Sequence, residues 1–153
     1  MRRNDKGITD PGELETIIRS GRICRLALTA DPAPYIVPLN YGYRDGVLYF
    51  HSAPEGRKLE LMRRNPWAGF EIDLDLGLRD GGAEACKWSM RYRSVIGYGQ
   101  IEFISGSEEK RRALDLIMAQ YTPGEFTYPD AMMQKTTSYK LIIEQLTGKG
   151  TRD

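Results

Sequence analysis

The chain has 153 residues, enough for one domain around a single core, and its 22 Lys and Arg nearly balance 21 Asp and Glu. A net charge of +1 gives no footprint for nucleic acid, and no apolar run reaches membrane-spanning length, so neither partner is expected. MRRNDKGITD lacks a signal-peptide core, Cys24 and Cys86 form no CxxC, and His51 is the single histidine, so the sequence predicts a cytoplasmic protein without a metal centre.

Asp10-Pro11-Gly12-Glu13 reads as a helix start, with Asp10 as N-cap and Pro11 at the first helical position. Leu14, Ile17 and Ile18 share a face, and Gly21 is expected to close the helix in the left-handed conformation. Residues 22–29, with Cys24, Leu26 and Leu28, read as a strand, and Asp31-Pro32-Ala33-Pro34 as a turn. Tyr35, Val37, Leu39 and Tyr41 then alternate with their neighbours, and residues 47–50 form a second β-rich run. Asp45-Gly46 suits a tight turn, so these two runs are expected to form one hairpin. Ser52-Ala53-Pro54-Glu55 has the form of a capping box, which predicts a helix from Ser52. Arg57 and Lys58 fall in or just after its first turn, where free N–H groups and the helix dipole favour an anion. Cations there cost a little stability that a bound phosphate would offset; the same residues also suit a solvated face shared with Arg63 and Arg64.

Asn65-Pro66 ends that helix, and residues 67–74 place Ala68, Phe70, Ile72 and Leu74 on one apolar face of a strand. Residues 77–85 read as a loop. Residues 90–104 resume an extended pattern through Tyr92, Ser94, Ile96, Tyr98 and Gln100, with Gly97 and Gly99 marking a bulge or a close approach. Ser107 is predicted to cap a helix whose Leu114, Ile117, Met118 and Tyr121 bury one face and which Thr122-Pro123-Gly124 ends. Residues 126–135 are weakly patterned, residues 139–146 form a last strand with Tyr139, Leu141, Ile143 and Gln145 on one face, and residues 1–7 and 148–153 look loose. This order predicts a single mainly-β domain over residues 1–153: a predominantly antiparallel, six- or seven-stranded barrel with flanking helices.

Several fragments carry a resemblance: RLAL at 25–28, PYIVPLNYGY at 34–43, DGVLYFHSAPEGRK at 45–58, NPWAGFEID at 65–73, YRSVIGYGQIEFI at 92–104 and the terminal IIEQLTGKG. In this order and spacing the chain resembles the pyridoxamine-phosphate-oxidase-like flavin-binding split-barrel superfamily and, within it, the nitroimidazole-resistance (Nim) group. The resemblance implies a Greek-key-like FMN-binding split barrel and a homodimer with FMN in clefts between subunits. It implies that Arg57 and Lys58 hold the FMN phosphate, helped by the Ser52 hydroxyl. Val37, Pro38, Leu39, Asn40 and Tyr41 match the strand at the isoalloxazine edge, and His51, Ser52 and Ala53 match the strand end beneath the ribityl chain. Tyr92, Arg93, Ser94 and Val95 match the segment that reaches the flavin from the second subunit.

The implied function is an FMN-dependent oxidoreductase that takes electrons from NADH or NADPH and passes them to a small planar acceptor such as a nitroimidazole, with His51 as proton donor. Two alternatives use the same barrel: a haem-binding or haem-degrading protein with His51 as axial ligand, and a non-catalytic module for FMN or the deazaflavin F420. His51 also suits a structural role at a strand end. Trp67, Trp88 and Tyr92 read as core or interface aromatics, Cys24 and Cys86 as ordinary thiols, and Asp73 and Asp75 as solvent-facing rather than a catalytic pair.

Overall fold

The computed structural model of the protein describes residues 6–151. Helix α1 (Pro11–Ser20) starts as the sequence predicts: Asp10 Oδ2 accepts the Glu13 amide at 2.8 Å and Pro11 opens the helix. Its end differs, because Gly21 is extended with φ −68° rather than left-handed. Space demands glycine there, since a Cβ would lie 2.3 Å from Ile72 Cγ2 and 2.6 Å from the Tyr41 hydroxyl.

Strands β2 (Cys24–Leu28), β3 (Tyr35–Leu39), β4 (Gly42–Arg44) and β5 (Val47–Ser52) follow, after a two-residue β1 (Gly7–Ile8) that precedes α1. The expected hairpin forms with a different first arm. Tyr35–Leu39 pairs back on β2, whereas β5 pairs across the Asp45-Gly46 turn with the short β4. Both turn residues have positive φ, 49° and 78°, as a two-residue hairpin requires. Tyr41 separates the two segments: it is fully buried, its hydroxyl donates to the Ile18 carbonyl and its amide to the Tyr121 hydroxyl at 3.0 Å, and so it leaves the sheet.

Helix α2 (Arg57–Arg64) leads into β6 (Trp67–Arg79), a 3₁₀ turn (Ala85–Lys87), β7 (Ser89–Ile104), α3 (Ser107–Tyr121), α4 (Asp130–Gln134) and β8 (Thr137–Gly150). β6 and β8 run further than expected, so residues 77–79 and 148–150 are sheet rather than loop. Gly77, with φ 89°, sits in a bulge that lets β6 continue, and Gly148 is buried against Ile8 and Leu14. The ends of the predicted loose segments, residues 1–5 and 152–153, lie outside the described residues. Gly106, not Ser107, occupies the N-cap of α3, which has no side-chain cap; Ala113 and Ile117 are its buried residues, with Leu114, Met118 and Tyr121 half-buried.

The sheet has eight strands in the order β3-β2-β6-β7-β8-β5-β4, with β1 added on β8, and every pairing is antiparallel. It is barrel-like but open between β3 and β4. The strands beyond the predicted count are the two- and three-residue β1 and β4, too short to show a period. One edge, β3, carries Pro38, which has no N–H to offer. Inside sit Leu26, Leu48, Phe50, Phe70, Ile72, Val95, Tyr139 and Leu141, joined by Ile17 and Ile18 of α1 and by Leu59 and Met62 of α2. No helix among the described residues is long and apolar enough to cross a membrane.

The predicted irregularity at Gly97 and Gly99 lies where β7 meets β8. Tyr98 pairs with Gln145 but Gly99 with Ile143, so Glu144 is an extra residue in β8. The alternation flips there. Tyr139, Leu141 and Ile143 turn toward the core, Leu146 and Gly148 follow beyond the bulge, and Gln145, expected on their face, is exposed. A Cβ on Gly97 would stand 2.5 Å from the Gln145 oxygen, and one on Gly99 only 1.8 Å from the Ile142 oxygen. Gly69 has room, with its nearest neighbours at 3.8 Å. Gly99→Ala is therefore expected to lower stability by at least about 3 kcal/mol, the upper end for overpacking, whereas Gly69→Ala should change it by less than about 1 kcal/mol. Urea unfolding of the two variants measures the contrast, and equal midpoints would contradict the register described.

Candidate cofactor site

The corner between β5 and α2 gathers most of the chemistry. β5 ends at Ser52, and residues 53–56 form a loop, so the helix starts later than the capping-box pattern predicts. Ser52 does not cap it: still paired with Thr137 in the sheet, it is buried and its hydroxyl donates to the Ala53 carbonyl at 3.0 Å. Gly56 takes the N-cap position instead, at φ 132° and ψ 160°, a region open essentially to glycine alone, and no side chain caps the helix. Its carbonyl accepts the Leu59 amide at 3.0 Å and the Glu60 amide at 3.3 Å, leaving the first amides of α2 as open donors.

Arg57 and Lys58 thereby become the first two residues of the helix. A Cβ on Gly56 would meet nothing within 4 Å, so the space beside this end is open. Arg57 lies over the Tyr35 ring, 5.1 Å from its centroid, which holds the guanidinium beside the corner. Sequence reasoning missed Tyr35 in this role; the available signal was an aromatic at the start of an edge strand. Arg63 and Arg64 occupy the last turn, where cations suit the dipole, and Arg63 stacks on Phe103 at 5.3 Å. The four cations thus divide between the two ends of the helix rather than forming one face.

His51 stands directly opposite Ser138 on the outward side of β5. Its side chain is more than a third exposed, yet partial burial, and then the positive charge of Lys58, lower its pKa from the ordinary value. His51 is therefore neutral at pH 7. The structure brings His51, Ser52, Ala53, Arg57 and Lys58 into this one corner.

The other predicted residues lie apart from it. Val37 and Leu39 are half-buried against the core, Pro38 and Asn40 are exposed, and the sealed Tyr41 side chain is unavailable to any ligand. Tyr92 is half-buried with its amide donating to Thr151 Oγ1 at 3.2 Å, Arg93 pairs with Glu13 at 3.4 Å, and the Ser94 hydroxyl donates to the Lys149 carbonyl at 3.5 Å. Val95 is fully buried beside Ile72, so its side chain cannot meet a cofactor. At the corner His51 pairs with Ser138, Ser138 pairs with Ile104, and residues 95 and 104 are about 30 Å apart along β7 at ordinary strand rise. Within one chain, Tyr92–Val95 and the Arg57 corner thus sit toward different ends of the sheet. Between them runs an outward row of cross-strand neighbours, Ile36, Ala27, Gly69 and Tyr98, with Ile36 63% exposed. Asp73 bonds to Arg25, and Asp75 Oδ1 accepts the Gly77 amide, so the two carboxylates do not converge. Cys24 is buried, with its pKa raised chiefly by that burial, and Cys86 is exposed.

Comparison with known proteins places this geometry. Residues 10–150 match the family described as Pyridoxamine 5'-phosphate oxidase, and the chain belongs to that family. It is similar to the crystal structure of a candidate 5-nitroimidazole antibiotic resistance protein from Bacteroides thetaiotaomicron VPI-5482, at 38% identity and a TM-score of 0.84, over 94% of this chain and 85% of that one. An FAD and haem binding protein from Mycobacterium smegmatis shares the fold, with a TM-score of 0.86 at 21% identity over 97% of this chain and 74% of that one. An uncharacterized protein of Rhizobium meliloti (strain 1021) is 38% identical over 60 residues, which span 39% of each chain.

The pKa of His51 has a consequence for stability. Because the folded value lies below the unfolded one, the unfolded chain takes up its proton first as the pH falls. Stability from this group is complete above the ordinary histidine pKa of about 6.5 and declines as the pH drops below it. His51→Gln is expected to flatten the acid limb of stability against pH below about pH 6.5, measured by urea midpoints, while leaving the plateau above about pH 7 unchanged.

Proposed function

We propose that the protein is an FMN-dependent oxidoreductase, and that one observation carries this reading: an uncapped helix N-terminus whose first two residues are Arg57 and Lys58. Cations at that end oppose the helix dipole, and open amides point the same way, so the corner is short of negative charge. A phosphate group supplies it. The residues present fit FMN on that ground. Arg57, preset by Tyr35, and Lys58 would hold the phosphate, the first amides of α2 would add hydrogen bonds, and Gly56 keeps the approach clear. Ser52 has a smaller part than the sequence suggested, since its proton already goes to Ala53.

When bound, FMN supplies the electron transfer between NADH or NADPH and a small planar acceptor such as a nitroimidazole. His51 would present a ring N–H beside the site as a hydrogen-bond donor to the acceptor, with partial burial and then Lys58 favouring the neutral form that carries it. The candidate resistance protein, at 38% identity, supports the choice of acceptor. The separation of Tyr92–Val95 from the Arg57 corner supports a homodimer, in which a second subunit brings that segment to the first subunit's corner, and the exposed outward row of Ile36 and Tyr98 supports packing of a second copy there. Light scattering at micromolar concentration is expected to give a dimer; a monodisperse monomer would remove the two-subunit cleft.

The phosphate anchor is tested by titrating apoprotein with FMN while following flavin fluorescence. Each charge-assisted contact contributes about 1.5–3 kcal/mol, so Arg57→Ala with Lys58→Ala should weaken FMN binding by about 10² to 10⁴. Riboflavin, which lacks the phosphate, should bind wild type and variant about equally. Arg64→Ala is the better control on this helix, because Arg63 also stacks on Phe103. Equal FMN affinity in wild type and double variant would sink the assignment, and a Soret band in the purified protein would transfer it to haem.

A further inference from the structure

Two buried side-chain hydroxyls have no hydrogen-bond partner among the described residues, Ser138 Oγ and Tyr139 OH. Tyr139 points into the barrel, stacked on Phe50 with ring centroids 5.5 Å apart, and burial raises its pKa. Ser138 alternates to the other side of β8. It is wholly buried, and its direct partner in the register is His51 on β5. An unpartnered hydroxyl in that position is costly unless something turns toward it. Directly opposed residues of an antiparallel pair have Cβ atoms about 4.5–5.5 Å apart, so a hydroxyl one bond beyond one Cβ and a ring nitrogen two bonds beyond the other meet by side-chain rotation.

We propose that Ser138 is the positioning residue for His51, its hydroxyl donating to the nearer ring nitrogen. This rests on the reading of His51 as the donor at the proposed site and deepens it. A neutral imidazole that accepts at one nitrogen must carry its proton on the other, so the bond fixes one tautomer and turns the remaining N–H away from β8. The serine thus decides which atom of His51 is offered to an acceptor. The charged groups on the surrounding elements are engaged or accounted for: Lys58 of α2 already bears on His51, Lys140 of β8 pairs with Glu109 of α3 and Glu102 of β7, and Lys110 of α3 donates to the Met133 carbonyl. Ser138 is the neutral group in register with the ring.

Because His51 is the single histidine, its imidazole signals in nitrogen-15 NMR are unambiguous. Wild-type apoprotein at pH 8 is expected to hold one tautomer. Ser138→Ala should mix the tautomers and raise the pKa of His51 by about 0.5–1 unit, since the lost donor favoured the neutral form, and Ser138→Thr should restore both. A Ser138→Ala variant that titrates like wild type would overturn the proposal; should that variant not fold, an unbiased tautomer ratio in wild type would do the same. No cofactor is present in this measurement, so it fails or holds separately from the FMN titration. Turnover of His51→Ala tests the donor reading in turn, and full activity there with an intact Ser138 effect would leave the coupling standing and remove its catalytic use.

Discussion

Two carbonyl groups of β8, those of Ile142 and Gln145, point into the space where β7 would otherwise carry side chains. Gly97 and Gly99 make that approach possible, and the rest of the architecture follows from it. The close contact straddles the extra residue Glu144, and a bulge of this kind bends its strand and increases the local twist. Beyond the bend, β8 turns Leu146 and Gly148 inward, β1 adds to its end, and α1 packs down with Leu14 against Gly148. Before the bend, β8 delivers Thr137 and Ser138 to the end of β5. The bulged β7–β8 register thus sets the seat of α1, while the pairing of the same strand with β5 sets the neighbours of His51.

At the β5–α2 corner the governing term is electrostatic. Helix dipole, open amides and two cations all act with the same sign over a few ångströms, in a region that solvent still reaches. Such an arrangement costs stability in the free protein, and under the function proposed above a bound phosphate would offset that cost. Tyr35 and Gly56 serve the same end by different means. One restrains a side chain, the other keeps the backbone accessible.

Much of the fold was legible because it depends on short-range rules. The Asp10 cap, the Asp45-Gly46 turn, the apolar face of β6 and the irregularity at Gly97 and Gly99 each follow from the residue type at its position. The errors have a common origin in tertiary competition. Ser52 and Glu55 carry a valid capping pattern, but pairing with Thr137 keeps Ser52 in the sheet. Tyr35 to Tyr41 alternates correctly, yet burial of the Tyr41 hydroxyl against Ile18 breaks the run before it can pair with β5. Gln145 fits the parity of Tyr139, Leu141 and Ile143 until the bulge at Glu144 reverses it, and nothing local marks that residue. In the site, Arg57 and Lys58 were visible as a basic pair, whereas Tyr35 beneath Arg57 and Ser138 opposite His51 arise from pairings between distant segments.

Pro38 on β3 bears on how this protein avoids unwanted association. An incompletely closed sheet leaves two free edges, and an edge strand is a template for a strand from another chain. β4 is too short, at three residues, to offer much of a ladder. β3 is longer but has proline near its middle, removing a donor from the row that an incoming strand would need. Growth by lateral hydrogen bonding is thus discouraged at both margins. A split barrel can in this way remain open without becoming a nucleus for aggregation.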